Sequence, residues 1–337
     1  MNNVTLHTQI EAWPLVAPFR ITGHTFTSID VLVVRVEKDG CVGQGEAAGV
    51  YYKQDQPSSM IQQVEALRST FEAAVDRDRL QQLLPAGGAR NALDCALWDL
   101  EAQLEGRPAW ELAGLGTPRP LLTTFTCGAD EPETMARQAS GAYASAQAIK
   151  LKLTGEPTDA ERVRAVREGR PDVWLGVDAN QGFTPQSLER LLEVLVEARV
   201  ALIEQPFPVG QESWLDGFRS PIPVAADESL QCLADLPRLA GRFDVVNIKL
   251  DKCGGLTEAL AIARAARASG FDTMVGNMIG TSLAMAPAFL VGQLCRIVDL
   301  DGPVLLKADR ASPVVYTDGH ISCPEALWGS ARKAHQP

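Results

Sequence analysis

Histidine is scarce in this chain. The four present, His7, His24, His320 and His335, lie outside the stretch where acids and lysines gather, so a histidine base or histidine-rich zinc site is not expected. The seven cysteines (Cys41, Cys95, Cys127, Cys232, Cys253, Cys295 and Cys323) are odd in number and form no Cys-x-x-Cys pair. That usage fits a reducing cytoplasm better than a disulfide framework or a thiolate metal site. No 18 apolar residues run uninterrupted, which excludes an ordinary transmembrane helix. The start, Met1-Asn-Asn-Val-Thr-Leu-His7, lacks a basic segment followed by an apolar one, so no signal peptide is evident. Lysine and arginine form no cluster and the net charge is −11, so neither nucleic acid nor a membrane is an expected partner. No Gly-x-Ser-x-Gly occurs, which removes the usual serine hydrolase. Gly43-Gln-Gly-Glu-Ala-Ala48 matches a dinucleotide glycine pattern by letters, but it follows a hairpin and opens no helix, so it reads as structural.

What is present is ordinary for a globular protein: 337 residues, 46% hydrophobic and 22% charged, enough for two cores. Between residues 148 and 249 short apolar runs end in charge. Ala148-Ile-Lys-Leu-Lys152 comes first, then Trp174-Leu-Gly-Val-Asp178, Ala201-Leu-Ile-Glu204, Pro223-Val-Ala-Ala-Asp227 and Val245-Val-Asn-Ile-Lys249. Each reads as a buried strand. From Lys152 to Asp178, Glu204, Asp227 and Lys249 the intervals are 26, 26, 23 and 22 residues, one strand plus one crossover helix plus two turns. These charges should therefore recur at one end of successive parallel strands, where charge reads as chemistry.

Residues 1–118 lack that rhythm. Ile29–Val36 reads as a strand, Asp39-Gly40 as a hairpin turn and Cys41–Glu46 as the returning strand, with helices near 58–75 and 89–105. Leu93, Leu97, Leu100 and Leu104 form one stripe expected to be buried. This predicts an N-terminal α+β module over 1–118, bounded by Pro118 and Pro120. From 119 to 307 eight strands are expected, near 121–127, 147–152, 173–178, 200–204, 222–226, 244–249, 271–276 and 295–300, a barrel count. Residues 308–337 read as a return segment, with a hairpin around Asp318-Gly319 expected to pack on the first module.

Asp178, Glu204 and Asp227 are three hard oxygen ligands, one per strand, which suits Mg²⁺ better than zinc. The plainer alternative is that they cap helix N-termini. Lys150 and Lys152 share one face of their strand. Alone they would suggest a solvated edge, but the surrounding residues are apolar. Two adjacent lysines near a divalent cation disfavour protonation, which can bring a lysine pKa toward neutrality. Lys249 should stand across the barrel, so that an amine flanks each side of a metal-bound carboxylate, as proton transfer at an α-carbon requires. Asp299-Leu-Asp301 places two acids on one face of the eighth strand, able to hold an ammonium group or else to form the turn before Gly302-Pro303.

Lys150-Leu-Lys152, Val177-Asp-Ala-Asn-Gln-Gly182, Ile203-Glu-Gln-Pro206, Ala226-Asp-Glu-Ser229, Asn247-Ile-Lys-Leu-Asp-Lys-Cys-Gly-Gly255, Asp299-Leu-Asp-Gly302 and the helix Ala89–Leu100 together resemble the enolase superfamily. Within it, the chain is most similar to the dipeptide epimerases of the L-Ala-D/L-Glu type in the muconate-lactonising subgroup. The resemblance implies a (β/α)7β TIM-like barrel with an α+β capping domain built from both chain ends. It further implies one Mg²⁺ on Asp178, Glu204 and Asp227, and Lys152 and Lys249 as the two acid–base catalysts. Lys150 would hold the substrate carboxylate and Asp299 and Asp301 the ammonium of a dipeptide. The loop Pro18–Thr25 should close over the site. Glutamate-type members carry an arginine there, slightly later than Arg20, where this chain has Gly23 and His24. Arg20 and His24 are the substrate-binding candidates in the loop, with Tyr51 and Tyr52 either joining them or lying on the surface. Alternatives in the same superfamily are an N-acylamino-acid racemase, an o-succinylbenzoate synthase or a muconate cycloisomerase, and outside enzymes a non-catalytic binding protein. A homo-oligomer is possible.

Overall fold

The computed structural model describes residues 4–74 and 76–331. Three antiparallel strands, β1 (Thr5–Ile21), β2 (His24–Lys38) and β3 (Cys41–Ala47), form the cap sheet. Asp39 and Gly40, both with positive φ (51° and 76°), make the two-residue turn between β2 and β3. β1 and β2 stay in register to Pro14 opposite Ser28 and resume at Phe19 opposite Phe26. In the bulge between, Leu15 bridges to Leu306 and Lys307 donates its N–H to Pro14 O, tying the sheet to the barrel rim.

Behind the sheet lie helices Pro57–Ala74, Arg77–Leu83 and Gly88–Glu105. The last packs so closely on β3 that a Cβ on Gly43 or Gly45 would sit 2.0 Å from Ala96 O or Ala92 O. The glycine-rich segment is thus a packing surface, and no nucleotide loop. Leu93, Leu97 and Leu100 are buried on this helix, but Leu104, in its last turn, is 39% exposed. Its other faces are buried too. Arg90 donates to Cys253 O and Gly254 O, and Asp94 accepts from the N–H and hydroxyl of Thr257. On the far side, Glu46 accepts from Thr281 N at 2.7 Å and from Arg310 Nη2 at 2.6 Å. The cap is bolted to the barrel from both sides.

The segment read as one strand over 121–127 divides. Leu121–Leu122 (β4) stays outside, and Thr124–Cys127 (β5) opens the barrel. Seven parallel strands follow: β6 (Ala148–Lys152), β7 (Trp174–Asp178), β8 (Leu202–Glu204), β9 (Val224–Ala226), β10 (Val245–Ile248), β11 (Asp272–Val275) and β12 (Ile297–Val298). β12 and β5 are joined by side chains: Thr123 Oγ1 accepts from Leu300 N, the Thr124 hydroxyl donates to Asp299, and Asp301 Oδ2 accepts from Thr126 N at 2.6 Å. Trp174, Leu202, Ala225, Val245 and Met274 fill the lower barrel, leaving the C-terminal strand ends free for a site.

The C-terminal hairpin, β13 (Val315–Thr317) and β14 (His320–Ser322), pairs with β4 and not with the cap sheet. β4 leaves an open edge just before the barrel begins, and the hairpin satisfies it. Beyond the hairpin, Trp328 Nε1 donates to Gln44 O and Cys95 O, and Gly329 N to Asp99, so the chain end reaches the cap.

Candidate active site

Parallel register brings the charges together. Lys152 pairs with Asp178 and Asp178 with Glu204 across β6, β7 and β8, and Asp227 follows the last residue of β9. Carboxylate oxygens of Asp178, Glu204 and Asp227 all lie within 4.8 Å of one another, and all three residues are buried. Three buried carboxylates this close repel one another unless a cation sits among them. With no sulfur or imidazole in the group, a hard divalent ion fits the donor set. Buried oxygens without a partner stand beside it, Asn180 Oδ1, Glu228 Oε2 and Asn247 Oδ1, while Asn247 Nδ2 donates to Glu204 at 2.7 Å.

The lysines stand on both flanks. Lys152 Nζ is 2.5 Å from Asp178 Oδ2 on the β6 side, and Lys249 Nζ is 2.7 Å from Asp227 Oδ2 on the β10 side. Lys150 reaches Glu204 at 3.2 Å and also pairs with Asp299. Burial alone would pull Lys249 and Lys150 below the ordinary lysine value, but the surrounding carboxylates hold both above it. At Lys150 and Lys249 the acids outweigh both burial and lysine–lysine repulsion. Burial, then the charge of Asp178, pushes Glu204 up to about 7, whereas Lys249 and Lys252 overcome burial and keep Asp227 well below the carboxylate range.

Asp299 and Asp301 are buried and face the same cavity, of about 260 Å³, as the three lysines. The cavity is roofed by the cap, where Phe19, Ile21, Phe26 and Ile29 point inward together with Tyr51 and Tyr52. The tyrosines are half-buried, not surface residues, and Tyr52 OH meets Gln231 at 3.1 Å. Arg20 is exposed and does not line the cavity, because strand alternation gives the inward positions to Phe19 and Ile21. His24 is also exposed and off the cavity. It stacks on Tyr51 with ring centroids 5.3 Å apart and tilts against Phe26 at 4.2 Å.

Sequence reasoning gave no role to Glu228, Lys252 or Gln205. Strand alternation would turn Glu228 away from Asp227, but β9 ends at Ala226 and the turn sends both acids inward. Lys252 lies one helical turn after Lys249 and reaches Asp227 Oδ1 at 2.5 Å. Gln205 Oε1 accepts from Asp227 N and Ser229 N, fixing that turn. The motifs containing all three were visible, but short loop geometry was not.

Two family models cover most of the chain: the mandelate racemase / muconate lactonizing enzyme N-terminal domain matches residues 3–114, and the enolase C-terminal domain-like model matches 134–327. The chain belongs to this family of the enolase superfamily. Among its relatives, the L-Ala-D/L-Glu epimerase of Escherichia coli K12 is 39% identical over 92% of this chain and 97% of that protein. An N-acetyl-D-glutamate racemase from a Pseudoalteromonas species is 40% identical over 91% and 97%. The solved structure of a dipeptide epimerase from Methylococcus capsulatus, complexed with Mg and the dipeptide L-Arg-D-Lys, superposes with a TM-score of 0.89 at 32% identity, covering 96% of this chain and 98% of that one. The relatives named here are epimerases and racemases, and in this chain the acids and lysines gather at the C-terminal ends of the parallel strands. Among the described residues no helix is long and apolar enough to cross a membrane.

Proposed function

We propose that this chain is a Mg²⁺-dependent dipeptide epimerase that inverts the α-carbon of a dipeptide's C-terminal residue. The observation that carries the reading is the pair Lys152 and Lys249, on opposite flanks of one carboxylate triad inside one cavity. Asp178, Glu204 and Asp227 would hold the ion. When bound, Mg²⁺ draws negative charge from the substrate carboxylate and so acidifies the α-proton.

The residues of the chain then divide the work. Lys150 faces the triad and adds a fixed positive charge where carboxylate charge builds up. One flanking lysine, entering as the free amine, takes the α-proton: the C–H bond breaks and an N–H bond forms. The other lysine, entering as the ammonium, gives a proton to the opposite face of the planar carbanion. The two amines thus exchange protonation states in each turnover, and the reverse reaction uses them in exchanged roles. Asp299 and Asp301 would receive the dipeptide ammonium, with the peptide unit spanning from the triad to β12. This last role separates the reading from an N-acylamino-acid racemase, whose substrates bring no ammonium to the acid pair.

The test is exchange in D₂O with Mg²⁺. An L,L-dipeptide should gain deuterium at the C-terminal residue's α-carbon while its configuration scrambles. No exchange across a broad dipeptide panel would leave only a binding role, and turnover confined to N-acyl amino acids would replace the reading with a racemase.

A further inference from the structure

We infer that the residue inverted at this site carries an uncharged apolar side chain and that acidic side chains are selected against. The inference rests on the epimerase reading, and starts from the directions available at the α-carbon. Its carboxylate is turned to the triad on β7–β9, its proton to one of the two flanking lysines, and its nitrogen toward Asp299 and Asp301 beyond β12. The lower barrel is filled by Trp174, Leu202 and Met274. The remaining substituent can only rise toward the cap.

There it meets an apolar wall. Phe19, Ile21, Phe26, Ile29, Tyr51 and Tyr52 line the cap side of the cavity. The rings brace one another edge to face: Phe26 and Tyr51 are 5.4 Å apart at 87°, and Tyr51 and Tyr52 are 5.2 Å apart at 88°. Three braced rings form a wall with little freedom to swing aside.

Charge points the same way. Among the described residues, the cap's one charged contribution to the lining is Asp30, which would repel a carboxylate. The cations of the lining are Lys150, Lys152 and Lys249, each paired with a barrel carboxylate at 3.2, 2.5 and 2.7 Å. Neither Arg20 nor His24 lines the cavity. A glutamyl side chain would be desolvated with no cationic partner on the cap side, whereas an aliphatic or aromatic one gains with every methylene buried. On the cap side a cationic side chain would find only the exposed Asp30 and a wall of rings, and Glu228, the other acid near Tyr51 and Tyr52, stands at the barrel mouth beside the triad.

The experiment compares kcat/KM for α-deuterium exchange on L-Ala-L-Leu, L-Ala-L-Phe, L-Ala-L-Glu and L-Ala-L-Lys with the Mg²⁺-loaded full chain. The better of the apolar pair should exceed both charged dipeptides at least tenfold. A smaller advantage, or a charged dipeptide in front, overturns the inference while leaving the epimerase reading intact. No exchange on any of the four, or on a broader panel, overturns both. Ser28, exposed on the lining, offers a second arm. Ser28→Arg should raise L-Ala-L-Glu relative to L-Ala-L-Phe at least tenfold, and an unchanged ratio overturns the cap wall as the determinant of side-chain choice.

Discussion

Thr22 Oγ1 lies 2.9 Å from the carbonyl oxygen of Ala179, the residue next to Asp178. The same hydroxyl is 2.9 Å from Leu153 O, next to Lys152. The tip of the β1–β2 hairpin is therefore pinned to the two strands that present a triad acid and a flanking lysine. Thr22→Val keeps the shape and removes the pin. KM for a dipeptide should rise roughly fivefold, about the worth of one net hydrogen bond, with kcat less affected. Steady-state kinetics separates the two constants, and an unchanged KM would show that the hairpin holds without this contact.

Removing one flanking amine should not abolish both halves of the reaction. In Lys249→Ala, inversion should fall by ~10²–10⁴, the usual worth of a general acid–base group. Lys152 should still exchange the α-proton of whichever configuration presents it on the β6 side, and Lys152→Ala should show the opposite preference. Proton NMR of each pure diastereomer in D₂O reads this directly. Exchange of both configurations by one variant would contradict a lysine on each flank.

Mg²⁺ should stabilise the fold as well as the reaction. The triad's mutual repulsion is relieved when an ion binds the folded state alone, worth about 2.7 kcal/mol at a hundredfold excess over Kd. Melting temperature should rise by a few degrees with Mg²⁺ and return on addition of EDTA. Asp178→Asn should blunt that rise, and calorimetry should find weaker Mg²⁺ binding.

Asp99, far from the site, supplies a pH dependence of stability. It accepts from Gly329 N at 2.8 Å and Gln44 N at 2.9 Å, yet burial pushes its carboxyl up to about 6 from the usual 3.8. A raised carboxyl favours the folded state most at low pH. Its contribution is full below about 4, is lost as pH rises through 6 and is flat above. The loss is on the order of 3 kcal/mol. Asp99→Asn removes the titration, so its stability relative to the parent should improve between pH 4 and pH 7. Denaturant melts at the two pH values check the sign.

The spacing of charges carried much of the site, because parallel strands with crossover helices repeat at a nearly fixed length. Lys152, Asp178, Glu204, Asp227 and Lys249 could be aligned without coordinates. Arg20 could not: Pro18–Thr25 reads as a loop in the sequence, whereas Arg20 lies near the end of β1, where alternation turns it outward. The division at Thr123 was hidden for a different reason. Apolar pattern alone does not say which neighbour a strand pairs with, and Leu121–Leu122 takes β14. Glu228 and Lys252 depend on one tight turn and one short helix, whose directions no periodicity encodes.

The seam between β12 and β5 has a consequence for anyone altering this enzyme. Asp299 and Asp301 fasten the first barrel strand to the last through Thr124 and Thr126, and they are also the groups proposed to greet the substrate's free amine. Retooling that corner for a different class of molecule would loosen the stave that closes the cask. Variants selected there for new selectivity should need a compensating stitch elsewhere along the same join.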